Sequence, residues 1–176
     1  MAFLQPVWMY PAIAAACSMA GSVFDVKSRR IPNYITFPSI LAGLAMHLAL
    51  GGWRQLLSSL AAGLICGLAL LAFYIAGGMG AGDVKLMTAV GCIAGLPYVA
   101  YLLILTAICG GAMAILLALF RGSLRQTIWN VGSIAAHHAQ QGFEAHPELN
   151  LSNPNTLRLP YALAIAGGSL LTLCIQ

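Results

Sequence analysis

Between two long apolar runs the chain reads IAGGMGAGDVKLM over residues 75–87. Glycine is among the weakest helix formers, so this glycine string interrupts helical structure. Asp83 and Lys85 follow it, immediately before the next apolar run. An ionisable side chain at or inside a bilayer costs roughly 2.5–3.5 kcal/mol and is read as functional by default. The segment therefore predicts a break between membrane helices and a candidate functional site.

The composition of the chain is that of an integral membrane protein. Of its 176 residues, 60% are hydrophobic and 7% are charged, with a mean hydropathy of +0.88. Soluble domains average about 45–50% apolar and 25% charged residues. The net charge of +4 comes from short basic clusters beside apolar runs, which indicates a role in topology and not nucleic-acid binding. We expect one transmembrane domain over residues 1–176, in contact with membrane lipid.

Six apolar runs are candidate spans: Val7–Phe24, Tyr34–Leu50, Leu56–Ala76, Leu86–Leu96, Tyr98–Phe120 and Leu159–Ile175. All but the fourth are long enough to cross a hydrocarbon core about 30 Å thick. The glycine-rich entry to this short helix is expected to lie within the membrane, where irregular backbone must be buried in protein or line a wet cavity. The alternative is that the fourth and fifth runs form one long helix. The predicted fold is an all-α polytopic membrane protein.

The positions of the basic residues favour six spans with both termini outside. In that arrangement only Arg54 lies outside, and the cytoplasmic side holds Lys27, Arg29, Arg30, Lys85, Arg121, Arg125 and Arg158. Merging the fourth and fifth runs would make the charge distribution even, against the positive-inside rule. Asp25 and Asp83, the only aspartates in the chain, both lie on the cytoplasmic side and can meet.

Other features of the sequence suggest packing and connection. The cysteines lie singly in apolar segments, which favours packing over a metal or disulfide role: Cys17, Cys66, Cys92, Cys109 and Cys174. Glycine pairs at small-xxx-small spacing predict close helix contacts: Gly63/Gly67, Gly78/Gly82 and Gly91/Gly95. Residues 121–158 are predicted to form a cytoplasmic polar loop with a possible surface helix at Thr127–Gln141.

The first charged motif runs DVKSRRIPN over residues 25–33. A structural interpretation is available: the basic residues set orientation, Pro32 lies in the first turn of a helix, and Asp25 neutralises part of the charge. The second motif, GAGDVKL over residues 80–86, also has a structural interpretation. There Asp83 caps a helix and its glycines form the turn.

Taken together, the two motifs resemble the type IV prepilin peptidases, the GxGD class of intramembrane aspartyl proteases. The shared pattern is Asp25, five residues, Ile-Pro-Asn, then two apolar spans and Gly-x-Gly-Asp-x-Lys-Leu ending at Leu86. The segment PYALA at residues 160–164 is weakly similar to the closing segment of that family. The resemblance covers about residues 10–120 and 158–175.

The resemblance implies an aspartic endopeptidase that removes the short basic leader of prepilins at the cytoplasmic face of the bacterial inner membrane, in type IV pilus biogenesis. Asp25 and Asp83 would be the catalytic pair, and the supporting motif residues would be Pro32, Asn33, Gly80, Gly82 and Lys85. The larger bifunctional members carry a zinc-bearing segment with paired Cys-x-x-Cys motifs, which this chain lacks. It is therefore most similar to the peptidase-only members that serve tight-adherence (Flp-type) pili, and no cofactor or metal is implied.

Hydrolysis by two carboxylates requires one to take a proton from water and the other to donate one to the carbonyl oxygen. Two close acids cannot readily both ionise, so they share a proton. Asp83, at a helix N-terminus near Lys85, is expected to be the base. Asp25, near a helix C-terminus, is expected to be the acid, although the neighbouring basic residues oppose this. Gly80 and Gly82 would let a substrate strand approach, and Lys85 would either tune Asp83 or anchor its helix.

Two other functional classes also fit buried carboxylates. A proton-coupled small transporter would use Asp25 and Asp83 as proton sites, with broken helices around them. Against it, both acids lie near one membrane face, and the two halves of the chain show no matching interrupted segments. A non-catalytic scaffold would require both motifs to be structural. The sequence leaves the oligomeric state open.

Overall fold

The computed structural model describes residues 8–122, 125, 127, 129–133 and 160–175. Its main elements are α-helices: α1 (Met9–Ser28), α2 (Asn33–Ile75), α3 (Ala81–Ala94), α4 (Val99–Phe120) and α5 (Tyr161–Cys174). A short 3-10 helix, Leu96–Tyr98, precedes α4. This all-α architecture agrees with the predicted fold class.

Within the described residues, three helical stretches are long and apolar enough to cross a membrane: Met9–Ser28, Asn33–Ile75 and Leu96–Phe120. The other two helices, α3 and α5, have 14 residues each, or about 21 Å at 1.5 Å per residue. For α5 this is shorter than the apolar run Leu159–Ile175 suggested, and Leu159 lies outside the described residues.

Helix α2 is two helices joined at Gly52. Its 43 residues would extend about 65 Å if straight, twice the thickness of a hydrocarbon core. Gly52 breaks it with φ 69° and ψ −163°, a conformation that essentially only glycine adopts. His47, before the break, contacts the Ile93 carbonyl through Nε2 at 3.0 Å, and Ser59, after it, donates to the Cys92 carbonyl at 2.6 Å. The two halves of α2 therefore double back and pack on the same end of α3.

Helix α3 lies at the centre of the packing. Leu86, Met87 and Val90 are fully buried, and so is Ala89. Small residues allow this burial: a Cβ added at Gly91 would lie 2.9 Å from the Ala62 carbonyl oxygen. Gly63 and Gly67 of α2 face the side chains of Cys92 and Thr88 in the same way. The close helix contacts predicted from glycine spacing are thus confirmed between α2 and α3.

Helix α3 ends at Gly95, whose φ of 88° separates it from the 3-10 turn and from α4. The fourth and fifth apolar runs are therefore separate helices, and the alternative of one continuous helix is wrong. Helix α3 also begins five residues before the predicted run, at Ala81, so that Asp83 lies in its first turn. The glycine string thus ends at the start of a helix and not several residues before it.

Helix α5 packs between α1 and α4. Ser18 of α1 and Ser169 of α5 place their hydroxyl oxygens 2.5 Å apart, in a buried contact. On the other side, Gly168 leaves room for Thr106 of α4. The last described helix thereby packs against the first, α1, as well as against α4.

The described residues include all five cysteines but only part of the polar stretch. All five cysteines are free; Cys66 and Cys92 are buried between α2 and α3, as expected for packing residues, whereas Cys174 is exposed. The polar stretch 121–158 lies mostly outside the described residues. Its described helical residues are 125, 127 and 129–133, which overlap the start of the predicted helix Thr127–Gln141.

Candidate active site

The first motif forms the turn between α1 and α2. Asp25 lies in the last turn of α1, and its carbonyl accepts the Arg29 backbone N–H at 2.7 Å. Arg29 adopts a left-handed conformation with φ 51°, which reverses the chain. Pro32 then occupies the N-cap position of α2, with Asn33 as the first helical residue. The prediction that Pro32 lies within the first turn was wrong by one position. Pro32 has an extended ψ of 141° and so precedes the first helical residue.

The second motif places Asp83 third in α3. Its Oδ2 accepts the Gly80 backbone N–H at 3.3 Å, so Asp83 caps its own helix as the structural interpretation predicted. Its Oδ1 is buried and has no hydrogen-bond partner among the described residues. Capping therefore accounts for only one of the two oxygens, and a buried oxygen without a partner requires an explanation.

The two motifs pack directly against each other. A Cβ added at Gly82 would lie 3.2 Å from the Ile31 Cβ, so the glycine provides the space that Ile31 occupies. A Cβ added at Gly80 would lie 3.2 Å from Asp83 Oδ2. Both glycines therefore have neighbours within the protein, and their predicted role in substrate approach stays a prediction.

Lys85 links the motifs a second time. Its Nζ donates to Asn33 Oδ1 at 2.9 Å and lies 5.8 Å from the centroid of the Phe37 ring. Both contacts are with the first turns of α2. Of the two roles left open by the sequence, anchoring the helix is the one these contacts favour.

The two carboxylates interact electrostatically, although 57 positions separate Asp25 from Asp83. The contacts at Gly82 and Lys85 explain why, since they join the end of α1 and the start of α2 to the start of α3. Three helix ends therefore contribute to one site.

Helix α5 contributes a fourth end that the sequence prediction did not include. The backbone N–H of Ala162 lies close to the Asp25 carboxylate. Tyr161, the first residue of α5, interacts electrostatically with Asp83. The sequence indicates the segment 160–164 only through its weak resemblance, and Ala162 contributes a backbone group that no side chain reveals.

This proximity weakens the helix-dipole argument for assigning acid and base from the sequence. Asp25 had been placed near the C-terminal end of α1, where the helix dipole disfavours an anion. In the fold it also faces the N-terminal end of α5, whose dipole has the opposite effect. Both aspartates thus lie at the N-terminal ends of short helices, and the helix dipoles do not distinguish them.

The arrangement suits acid–base chemistry. Two interacting carboxylates can share one proton, so that one accepts a proton from water while the other donates one. Within the described part of the chain, no group of three or more histidine, cysteine or acidic side chains could hold a metal ion.

Comparison with known proteins identifies the family. Neither the curated proteins nor the solved structures gave a significant match. The model of the type IV leader peptidase family matches residues 12–115, which is more than half of the chain and includes both aspartates. The match ends before α5. The chain therefore belongs to the type IV leader peptidase family, the multi-pass membrane aspartic peptidases that cleave the leaders of prepilins.

Proposed function

We propose that Asp25 and Asp83 are the catalytic pair of this peptidase, acting on Flp-type prepilins at the cytoplasmic face of the inner membrane. The observation that carries the proposal is the convergence of the only two aspartates of the chain, from distant motifs, with a buried Oδ1 of Asp83 left unpartnered among the described residues. Capping alone accounts for Asp83 Oδ2 and leaves Oδ1 unexplained.

In the proposed reaction, the ionised carboxylate takes a proton from a water molecule, which attacks the carbonyl carbon of the scissile peptide bond. The protonated carboxyl donates its proton to the carbonyl oxygen, giving a neutral tetrahedral intermediate. When the C–N bond breaks, a proton passes to the leaving amine, and the carboxylates return to sharing one proton. No cofactor is consumed.

The membrane arrangement we propose has six spans, with both halves of α2 crossing separately. The positive-inside rule supports it, because seven of the eight basic residues then lie on the cytoplasmic side. That side also holds the DVKSRRIPN turn, which begins with Asp25. There the basic leader of a prepilin would meet the enzyme before the leader is removed.

The Flp-type substrate is proposed from the resemblance to the peptidase-only members of the family. The chain has no paired Cys-x-x-Cys motif, and Cys66 and Cys92 pack between helices instead. A transporter would need the same carboxylates for ion flux, but family membership favours peptide hydrolysis.

The test is co-expression of the chain with an Flp-type prepilin and, separately, with a classical type IV prepilin, following the mobility of each on a gel. We expect Asp25→Asn and Asp83→Asn each to lower cleavage about 10³-fold or more, because each removes a proton-transfer group. The chain has two other acidic residues, so Glu144→Gln and Glu148→Gln are matched controls that should keep activity.

The outcomes separate the parts of the proposal. Cleavage by both aspartate variants at matched membrane levels would show that the carboxylates are structural. Cleavage of the classical prepilin alone would overturn the Flp-type substrate while leaving the catalytic pair intact.

A further inference from the structure

The first residue of α5 packs on the middle of α4. A Cβ added at Gly110 would lie 3.1 Å from Cε2 of Tyr161, 3.2 Å from its hydroxyl oxygen and 3.3 Å from Cζ. The ring therefore lies against the backbone at Gly110, and a larger residue there would displace it. At the next position, Gly111, a Cβ would meet no described atom within 4 Å.

The start of α5 lacks an acceptor of its own. The first four backbone N–H groups of a helix have no partner within that helix. At the N-cap stands Pro160, which makes no side-chain capping hydrogen bond. The Asp25 carboxylate lies beside this end of α5. Ser18 of α1 contacts Ser169 of α5, and Asp25 and Ala162 each lie seven residues along the chain from these serines, which places them at the same level of the two packed helices.

These two contacts involve consecutive residues. Tyr161 sets the position of the α5 start through Gly110, and the next residue, Ala162, lies beside the Asp25 carboxylate. Tyr161 also interacts with Asp83, so the same residue lies near both carboxylates. A shift of α5 along α4 would therefore move Asp25 relative to Asp83.

We propose that Tyr161, held against Gly110, is a positioning residue of the peptidase, which fixes the start of α5 beside Asp25 and Asp83. This role rests on the proposed catalytic pair. The aromatic ring carries the positioning, because its carbon atoms are among those that meet Gly110.

The test compares Gly110→Val with Gly111→Val in the same helix. Gly110→Val should displace the Tyr161 ring and lower kcat by about 10- to 100-fold, the effect of a misplacement of about 1 Å, with KM unchanged. Gly111→Val should leave kcat unchanged. Membrane levels should be equal for the two variants, and Gly110→Ala replaces Gly110→Val if the larger variant unfolds at a lower temperature in detergent or does not fold. Equal kcat for Gly110→Val and Gly111→Val would overturn the proposal.

Substitution of Tyr161 tests the same inference from the other side. Tyr161→Phe retains the ring and should keep most of the activity, whereas Tyr161→Ala should lose as much kcat as Gly110→Val. The double variant Tyr161→Ala/Gly110→Val should be no worse than the more severe single variant, because the ring that the valine side chain would displace is gone. Additive losses, or equal losses for Phe and Ala, would contradict positioning by the ring.

The aspartate variants distinguish this failure from that of the catalytic pair. If Asp25→Asn and Asp83→Asn abolish cleavage while Gly110→Val does not, the pair stands and the role of Tyr161 falls. If the aspartate variants still cleave, the proposed function itself falls.

Discussion

The two oxygens of the Asp83 carboxylate have different surroundings. Oδ2 accepts the Gly80 N–H, whereas Oδ1 is buried and has no partner among the described residues. A buried polar atom without a partner costs about 1–3 kcal/mol. If Asp83 were only a helix cap, Oδ1 would destabilise the fold by this amount with no compensating interaction. Water or a substrate carbonyl at Oδ1 would remove it. This single atom is the strongest local indication of chemistry in the site.

Gly82 permits a test at the same scale. Gly82→Val should abolish cleavage, because the added side chain would press on Ile31, whose Cβ lies 3.2 Å from the new Cβ. Overpacking of this kind typically costs about 1–3 kcal/mol. Cleavage rates of Gly82→Val and Gly111→Val at matched membrane levels measure the effect.

A compensating change identifies the neighbour responsible. Gly82→Ala should lower cleavage, and the double variant Gly82→Ala/Ile31→Ala should recover part of it, since the smaller side chain restores the space. Full activity of Gly82→Val would show that the contact with Ile31 is not needed. Loss without any recovery in the double variant would instead favour the predicted role of Gly82 in substrate approach.

Among the helices, the short ones define the site. Both α3 and α5 begin at the carboxylates, and each has 14 residues. Their N-terminal amides contribute through Gly80 and Ala162. The long helices pack around the short ones: the α2 hairpin packs around α3, and α1 and α4 flank α5.

The hairpin depends on Gly52, and its replacement should destabilise the protein. Gly52→Ala would force an L-residue into φ 69° and ψ −163°, which costs of order 1–3 kcal/mol, although no described atom lies within 4 Å of the added Cβ. Thermal unfolding in detergent should show a lower midpoint for Gly52→Ala. Gly111→Ala, within regular helix, should show an equal or higher midpoint. An unchanged midpoint for Gly52→Ala would mean that the break relaxes at no cost.

For the whole molecule, the site is formed by segments that are far apart in the chain. The end of α1, the start of α2, the start of α3 and the start of α5 all meet at the carboxylates. Apolar surface covers the outside of the fold, with large exposed side chains on α1, α2, α4 and α5, including Met19, Leu68, Ile104 and Leu171. This is the surface expected where lipid replaces water as the surrounding solvent.

Orientation in the membrane is also testable at this scale. Lys27 lies beside the site and Arg54 just beyond the Gly52 break, and both are exposed. With the N-terminus outside, a membrane-impermeant maleimide should label Arg54→Cys in intact cells and Lys27→Cys only after permeabilisation. The parent chain, with its own five cysteines, provides the background. Labelling of Lys27→Cys in intact cells, with Arg54→Cys protected, would reverse the proposed orientation.

Much about this protein could be predicted from the sequence alone. Long apolar runs with few charges require an all-α membrane fold, because backbone groups in lipid must satisfy their hydrogen bonds within each segment. The only two aspartates stood out because each lay where an apolar run meets a polar one. The spacing of Gly63, Gly67 and Gly91 also indicated close helix packing, because small residues at regular spacing can be recognised directly in the sequence.

Only the tertiary structure decided which groups meet at the carboxylates. Ile31 against Gly82, and Asn33 against Lys85, are contacts between distant positions that local patterns do not specify. The separation of α3 from α4 at Gly95 became definite only in the fold. The contribution of Ala162 had no side-chain signal in the sequence, because every residue except proline carries the same backbone N–H, and only the packing brings this one to Asp25.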